Sequence, residues 1–242
     1  MRIRALAPGS HNVNQKRSAM PNRRAIAGMM DLSAVQAQNT EDDVRALVAL
    51  AKEYRCIAVF TLPGLTGLAA RLLGDEPGIR LGGVVGFPSG GSTTALKAAE
   101  AEELVGLGCF ELDMVINVGL LRSGRLEAVR TDIRGVVRAA QGAPVKVILE
   151  CHHLTDEEIR TACRICLDSG AAYVKTGTGW TETGATPHNV ALMKSVVRDR
   201  LGVKAAGGIR DLKTLLELHG LGATRFGVGY DSAQRILREL SD

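Results

Sequence analysis

Apolar runs of six to eight residues recur along the chain and set its rhythm. They are MMDLSA (29–34), CIAVFTL (56–62), RLGGVVGF (80–87), FELDMVIN (110–117), VKVILE (145–150), AAYVKTG (171–177), GVKAAGG (202–208) and ATRFGVG (223–229). Between them the pattern changes to a helical period, as in residues 40–54 (TEDDVRALVALAKEY) and 93–108 (TTALKAAEAEELVGLG). Thr40 and Thr155 are followed three residues later by Asp43 and Glu158, which predicts capped helix starts. Gly108, Gly170 and Gly222 fall just past predicted helix ends, where a left-handed residue is expected. Eight apolar strands, each followed by a helix, predict one closed (β/α)₈ TIM barrel over residues 28–242. The alternative is an open doubly wound sheet. That fold usually carries a G-x-G-x-x-G turn after its first strand, and GFPSGG (86–91) lacks the spacing.

Composition narrows the classes. The chain has 242 residues, 45% hydrophobic and 3% aromatic, so it can bury a large aliphatic core but has little to stack on nucleic-acid bases. No stretch approaches the roughly 18–20 apolar residues needed to cross a bilayer. The net charge of +4 belongs to the start of the chain. Residues 1–30 hold Arg2, Arg4, Lys16, Arg17, Arg23 and Arg24 and no acid, leaving 24 basic and 26 acidic residues elsewhere. Residues 1–27 are therefore read as a basic, flexible extension, with neither nucleic acid nor membrane as an expected partner. Five cysteines, an odd number, point to free thiols and a reducing cytoplasm. The Cys163-x-x-Cys166 pair downstream of Cys151-His152-His153 invites a zinc reading. The pair lies within a helical pattern rather than on a tight turn, so no metal is expected.

Charged residues inside apolar strands are the informative exceptions. Asp31, Asp113, Lys175 and Lys204 each lie in or near the C-terminal half of a predicted strand, the end where barrel active sites assemble. Any one of them could be a structural ion pair; two acids and two amines together point to chemistry. A lysine amine is a nucleophile only when neutral, and both a neighbouring ammonium and desolvation favour the neutral form. Lys175 and Lys204 stand on adjacent strands, placed for that coupling. The chemistry indicated is a Schiff base with a carbonyl, with Asp113 moving protons.

These residues carry a family likeness. ELDMVIN (111–117), KVILE (146–150), YVKTGTG (173–179) and VKAAGGIR (203–210) resemble segments of the deoxyribose-phosphate aldolases, as do GFPSGGSTT (86–94) and ATRFG (223–227). The resemblance implies a class I aldolase that needs no metal or other cofactor. It reversibly joins acetaldehyde to glyceraldehyde 3-phosphate, giving 2-deoxyribose 5-phosphate. It implies Lys175 as the Schiff-base lysine and Lys204 as the neighbour that lowers its pKa. Asp113 becomes the proton relay, Asp31 a supporting polar group. Gly177, Thr178, Gly179, Gly207, Gly208, Gly227 and Gly229 are the expected substrate and phosphate contacts. The expected partners are small aldehydes and sugar phosphates, with a homodimer as the expected assembly.

The departures cluster at the phosphate end. Gly229 and Tyr230 stand where the family has a serine pair, Gly177 stands where it commonly has a serine, and Asp231 is expected to cap the last helix. Phe60 and Leu62 replace smaller or polar residues and predict a larger apolar pocket wall. His152, His153, Trp180 and Glu182 are candidates for the rim. Two other readings follow: the same chemistry on an unphosphorylated acceptor, and a catalytically silent barrel.

Overall fold

Each apolar run becomes a strand. The computed structural model describes residues 21–240. The strands are β1 (Met30–Ala34), β2 (Ala58–Thr61), β3 (Arg80–Val85), β4 (Glu111–Val115), β5 (Val145–Ile148), β6 (Tyr173–Lys175), β7 (Gly202–Ala206) and β8 (Arg225–Gly229). They pair in sequence order, and β1 pairs in parallel with β8, closing the barrel and excluding the open sheet. The helices are α1 (Arg23–Ala27), α2 (Glu41–Tyr54), α3 (Pro63–Leu73), α4 (Thr94–Gly106), α5 (Val118–Arg122), α6 (Leu126–Ala139), α7 (Asp156–Asp168), α8 (Pro187–Val197), α9 (Leu212–Gly220) and α10 (Tyr230–Arg238).

Local signals act where the sequence places them. Thr40 and Thr155 close reciprocal capping boxes with Asp43 and Glu158, each satisfying backbone donors that a helix start leaves free. Gly108, Gly170 and Gly222 take φ of 91°, 82° and 103°, the left-handed conformation that ends α4, α7 and α9. Alternate strand residues such as Leu32, Val59, Leu112, Val147 and Val203 face the helices and form the main core. The barrel interior is divided differently. Val35, Ala58, Phe60 and Val84 make a small apolar cluster, and charged side chains fill the rest.

Two expectations change. The extension does not run to residue 27, because α1 is docked on the barrel. Ile26 and Ala27 are fully buried, and Arg23 donates through Nε to Leu237 O at 3.0 Å and through its guanidinium to Leu240 O. Residues 1–20 of that extension lie outside the described residues. Asp231 is not the cap of α10: Gly229 is the N-cap, and Asp231 sits exposed in the first turn. The five cysteines are all free and buried, Cys163 and Cys166 inside α7 as the helical pattern predicts.

Candidate active site

Strand register brings the charged residues together. Lys175 and Lys204 are direct partners across β6 and β7, and Asp113 is paired with Lys146 across β4 and β5. Thr176 tightens the β6–β7 seam by donating its hydroxyl to Ala206 O and accepting from Ala206 N, at 2.7 and 2.9 Å. Inside the barrel, Lys175 Nζ and Lys204 Nζ both donate to Asp113 Oδ2, at 2.7 and 2.6 Å. Lys204 Nζ also lies 2.6 Å from Asp31 Oδ2. The four residues singled out by their charge in apolar strands thus form one connected group.

Three more residues complete the group. Lys146 Nζ reaches Glu111 Oε1 at 2.8 Å, Asp31 Oδ2 at 3.1 Å and Asp113 Oδ1 at 3.3 Å. The last contact is an ion pair without hydrogen-bond geometry, and Asp113 Oδ1 accepts no hydrogen bond among the described residues. Arg225 bonds Asp31 Oδ1, through Nε at 2.9 Å and through a terminal nitrogen, and it also bonds Glu111 Oε1. The ring of Phe60 covers the cations, with Lys204 Nζ and Lys146 Nζ 4.2 and 4.5 Å from its centroid, a cation–π arrangement. Gly82 makes room for that ring, since a Cβ there would lie 2.3 Å from it.

The electrostatics follow from this packing. Burial pushes the Asp113 carboxyl up, but Lys175, Lys204 and Lys146 outweigh it and hold it far below the usual range. Asp31 is held low in the same way, against burial, by Lys204, Lys146 and Arg225. Lys204 moves in the direction a buried amine should. Burial lowers its ammonium from 10.5 to about 8, Asp113 and Asp31 oppose the change, and Lys146 and Lys175 add to it. The resemblance makes Lys204 the neighbour that lowers Lys175, and the buried Lys204 is itself held below the ordinary lysine range.

A cavity of about 290 Å³ opens above these groups. Asp31, Asp113, Lys175 and Lys204 line its floor, Phe60 and Val84 one wall. Of the two amines, Lys175 is the better exposed, at 8% of its side chain against 2% for Lys204. The mouth is formed by Thr178 and Gly179, by Gly207 through Arg210, by Gly227 through Gly229, and by Ser232. Six of the seven expected substrate and phosphate contacts line the cavity. Gly177 does not: it packs against Glu150, whose Oε1 would lie 2.8 Å from a Cβ at that position.

Several rim assignments are also corrected. Leu62 packs behind the wall in the small apolar cluster rather than lining it. Tyr230 packs on the core and accepts from Gln234 Nε2 at 3.3 Å, so its bulk does not enter the cavity. His152 is exposed and bonds Thr183 Oγ1 at 2.8 Å; His153 is exposed too, and neither lines the cavity, nor does Glu182. Trp180 does not line the cavity either but packs beside it, its indole N–H donating to O of the lining residue Val35 at 2.9 Å and its ring edge-on to Phe87.

Sequence reasoning passes over Arg210, Ser232 and Glu150. Glu150 sits at φ 54° and ψ 62°, a left-handed conformation uncommon outside glycine. Its carboxylate accepts from Thr178 N at 3.3 Å and from the hydroxyls of Thr178 and Thr181, tying down the loop after Lys175. Arg210 makes no guanidinium hydrogen bond or ion pair among the described residues and faces the mouth as a free cation. Gly207 and Gly208, both at φ 88°, leave the backbone there without a Cβ. The N-terminus of α10 follows Gly229 with no side-chain cap, so its first N–H groups are unclaimed by side chains.

Two amines on one carboxylate, at the C-terminal end of a parallel barrel, define a site suited to imine chemistry on a small carbonyl compound. The chain belongs to the DeoC/LacD family of aldolases, which residues 24–227 match. It is thereby an enzyme of the lyase class. It is 48% identical over 231 residues to the deoxyribose-phosphate aldolase of Sinorhizobium medicae, covering 94% of this chain and 93% of that one. A solved structure from Coccidioides immitis superposes with a TM-score of 0.86 at 35% identity, covering 90% of this chain and 87% of the other. The deoxyribose phosphate aldolase of Aeropyrum pernix, a tetramer, superposes at 0.80 with 32% identity and 90% and 91% coverage. Among the described residues, no helix is long and apolar enough to cross a membrane.

Proposed function

We propose that this enzyme reversibly cleaves 2-deoxy-D-ribose 5-phosphate to acetaldehyde and D-glyceraldehyde 3-phosphate through an imine on Lys175. The observation that carries the reading is Asp113 Oδ2, shared by Lys175 and Lys204 at the floor of the cavity. Because both amines bond the same oxygen, a proton can pass between them through Asp113. A free amine generated at Lys204 becomes a free amine at Lys175, the one that faces the substrate.

Lys175 Nζ adds to the C1 aldehyde of the open-chain sugar, and the carbinolamine loses water to give an iminium. The C3 hydroxyl gives up its proton, the C2–C3 bond breaks, and its electron pair moves toward the iminium. Glyceraldehyde 3-phosphate leaves, and the two-carbon fragment stays on Lys175 as an enamine. Protonation at C2, then addition of water, releases acetaldehyde and restores the amine. Asp113, held ionised by three lysines, takes up and returns protons in these steps. No metal or organic cofactor enters the scheme. The same reading, by resemblance, includes a cytoplasmic location and association as a homodimer.

At the other end of the substrate, Arg210, Ser232, the amides of Gly207 and Gly208 and the start of α10 are proposed to receive the phosphate. The hydroxyl absent at Gly229, which does line the cavity, favours a second reading, an unphosphorylated acceptor. Steady-state kinetics on 2-deoxyribose 5-phosphate and 2-deoxyribose separate the two. Arg210→Ala is expected to lower kcat/KM about 10- to 100-fold for the phosphorylated sugar, a loss of one charge-assisted contact, and to leave the free sugar nearly unaffected. Equal losses on both sugars, or a wild-type preference for the free one, would remove phosphate recognition from the scheme.

The lysine pair also fixes a pH dependence. Since the reactive form has lost one proton, kcat/KM is expected to rise about tenfold per pH unit on the acid side and to level off above about 8. A profile flat from pH 6 to 9 would show that the amine is already free.

A further inference from the structure

The barrel interior carries more charge than the proposed reaction uses. From β1 comes Asp31, from β4 Glu111 and Asp113, from β5 Lys146, from β6 Lys175, from β7 Lys204 and from β8 Arg225, all buried. β2 contributes the uncharged Phe60 ring. Cys56, close to Asp31 and just before that strand, stays a neutral thiol, pushed by burial and by Asp31 up to about 12. β3 contributes Arg80, a half-exposed residue at the edge, 3.7 Å from Glu111. Three carboxylates thus face four buried cations, an excess of one positive charge away from solvent.

Glu111 and Arg225 do not line the cavity; among the described residues Glu111 makes no ion pair or hydrogen bond with Lys175 or Lys204, and Arg225 is the strand partner of Lys204 across β7 and β8 but sends its guanidinium to Asp31 and Glu111. They act on the two groups that do reach the pair. Arg225 occupies Asp31 Oδ1 and leaves Oδ2 to Lys204 and Lys146. Glu111 holds Lys146 at 2.8 Å and binds Arg225. We propose that Glu111 and Arg225 are positioning residues that set the pH at which the lysine pair gives up its proton, through the charge they impose on Asp31 and Lys146.

Without the negative charge of Glu111, Lys146 and Arg225 lean more heavily on Asp31, and the excess positive charge grows. Lys204 is then less stable as an ammonium, and the pair loses its proton at lower pH. Without the positive charge of Arg225, the carboxylate of Asp31 is freed toward Lys204. The ammonium is then more stable, and the proton is lost at higher pH. A purely structural role would give weaker activity in both variants with no ordered displacement of the midpoint.

The inference rests on the lysine chemistry proposed above but can be tested without the sugar. Isocyanic acid, the reactive form of cyanate, carbamylates only neutral amines, so the rate at Lys175 divided by the isocyanic acid present at each pH, read by peptide mapping on the full-length protein, gives the midpoint. Glu111→Gln is expected to move it down by about one pH unit and Arg225→Gln up by about one unit, as for a charge gained or lost near a titrating group. The double variant should return close to wild type, and Arg225→Lys, which keeps the charge, should leave the midpoint in place. Should one single variant not fold, the sign found with the other decides. Midpoints that do not move, or that move the same way in both single variants, overturn the proposal. Ordered shifts in a protein that turns over neither sugar would instead leave it standing and reject the proposed substrate.

Discussion

Lys175→Ala is expected to abolish the covalent adduct that borohydride traps from 2-deoxyribose 5-phosphate, and to lower kcat/KM at least about 10³-fold. No other group among the described residues replaces it. Lys204 has an amine at the same carboxylate oxygen, but it is pinned between Asp113 and Asp31 at 2.6 Å from each and is nearly closed off from the cavity. The loss should not be one of folding. Among the described residues the Lys175 side chain has a single ionic partner, Asp113, and removing it takes a cation out of an interior that already has one too many. Intact mass with peptide mapping decides the matter, alongside a melting curve. An adduct that persists in the variant, or that maps to Lys204 in the wild type, would transfer the nucleophile elsewhere.

The second large effect belongs to Asp113→Asn. The amide keeps the shape but cannot bridge two amines as an ionised carboxylate does. Proton transfer by a placed side chain contributes about 10²- to 10⁴-fold, and a loss in that range is expected. Stability should fall as well, by about 3–5 kcal/mol, because three lysines lose a buried counter-charge. The pH profile separates the relay from simple charge tuning. With the carboxylate gone, the amines shed their protons more readily, so a residue that only tuned the pair would yield a variant active at lower pH. Recovery of the full rate at any pH between 6 and 9 would therefore contradict the relay.

The barrel was legible because parallel strands buried on both sides cannot hide a polar residue. Asp31, Asp113, Lys175 and Lys204 stand out against valine, leucine and methionine, and they do meet. The same contrast marks Glu111, Lys146 and Arg225. These lie near the beginnings of β4, β5 and β8, away from the end where barrel sites assemble, and attention to that end passes over them. The mouth was less legible, since which loop atoms face inward depends on backbone turns that no period encodes. Gly177 and Gly179 are alike in sequence, yet Gly177 is pressed on Glu150 while Gly179, at φ 83°, faces the cavity. Tyr230 illustrates the same limit: read as a residue at the phosphate, it is the first residue of α10, capped by Gly229 rather than Asp231, and it packs on the core. The start of the barrel was misplaced because α1 is only five residues long, too short to show a helical period.

The five cysteines have a consequence of another kind. Each is buried, and burial raises the thiols of Cys56, Cys109 and Cys163 to about 12 and pushes those of Cys151 and Cys166 well above the ordinary thiol range. A thiol attacks only as thiolate, so at neutral pH the folded chain presents almost nothing for an alkylating reagent to capture. The positions are spread: Cys56 precedes β2, Cys109 precedes β4, Cys151 follows β5, and Cys163 and Cys166 lie on α7. Modification at each therefore times the opening of its own sector. Five equal rates would describe a barrel that opens all at once, and unequal ones would show which wall gives way first.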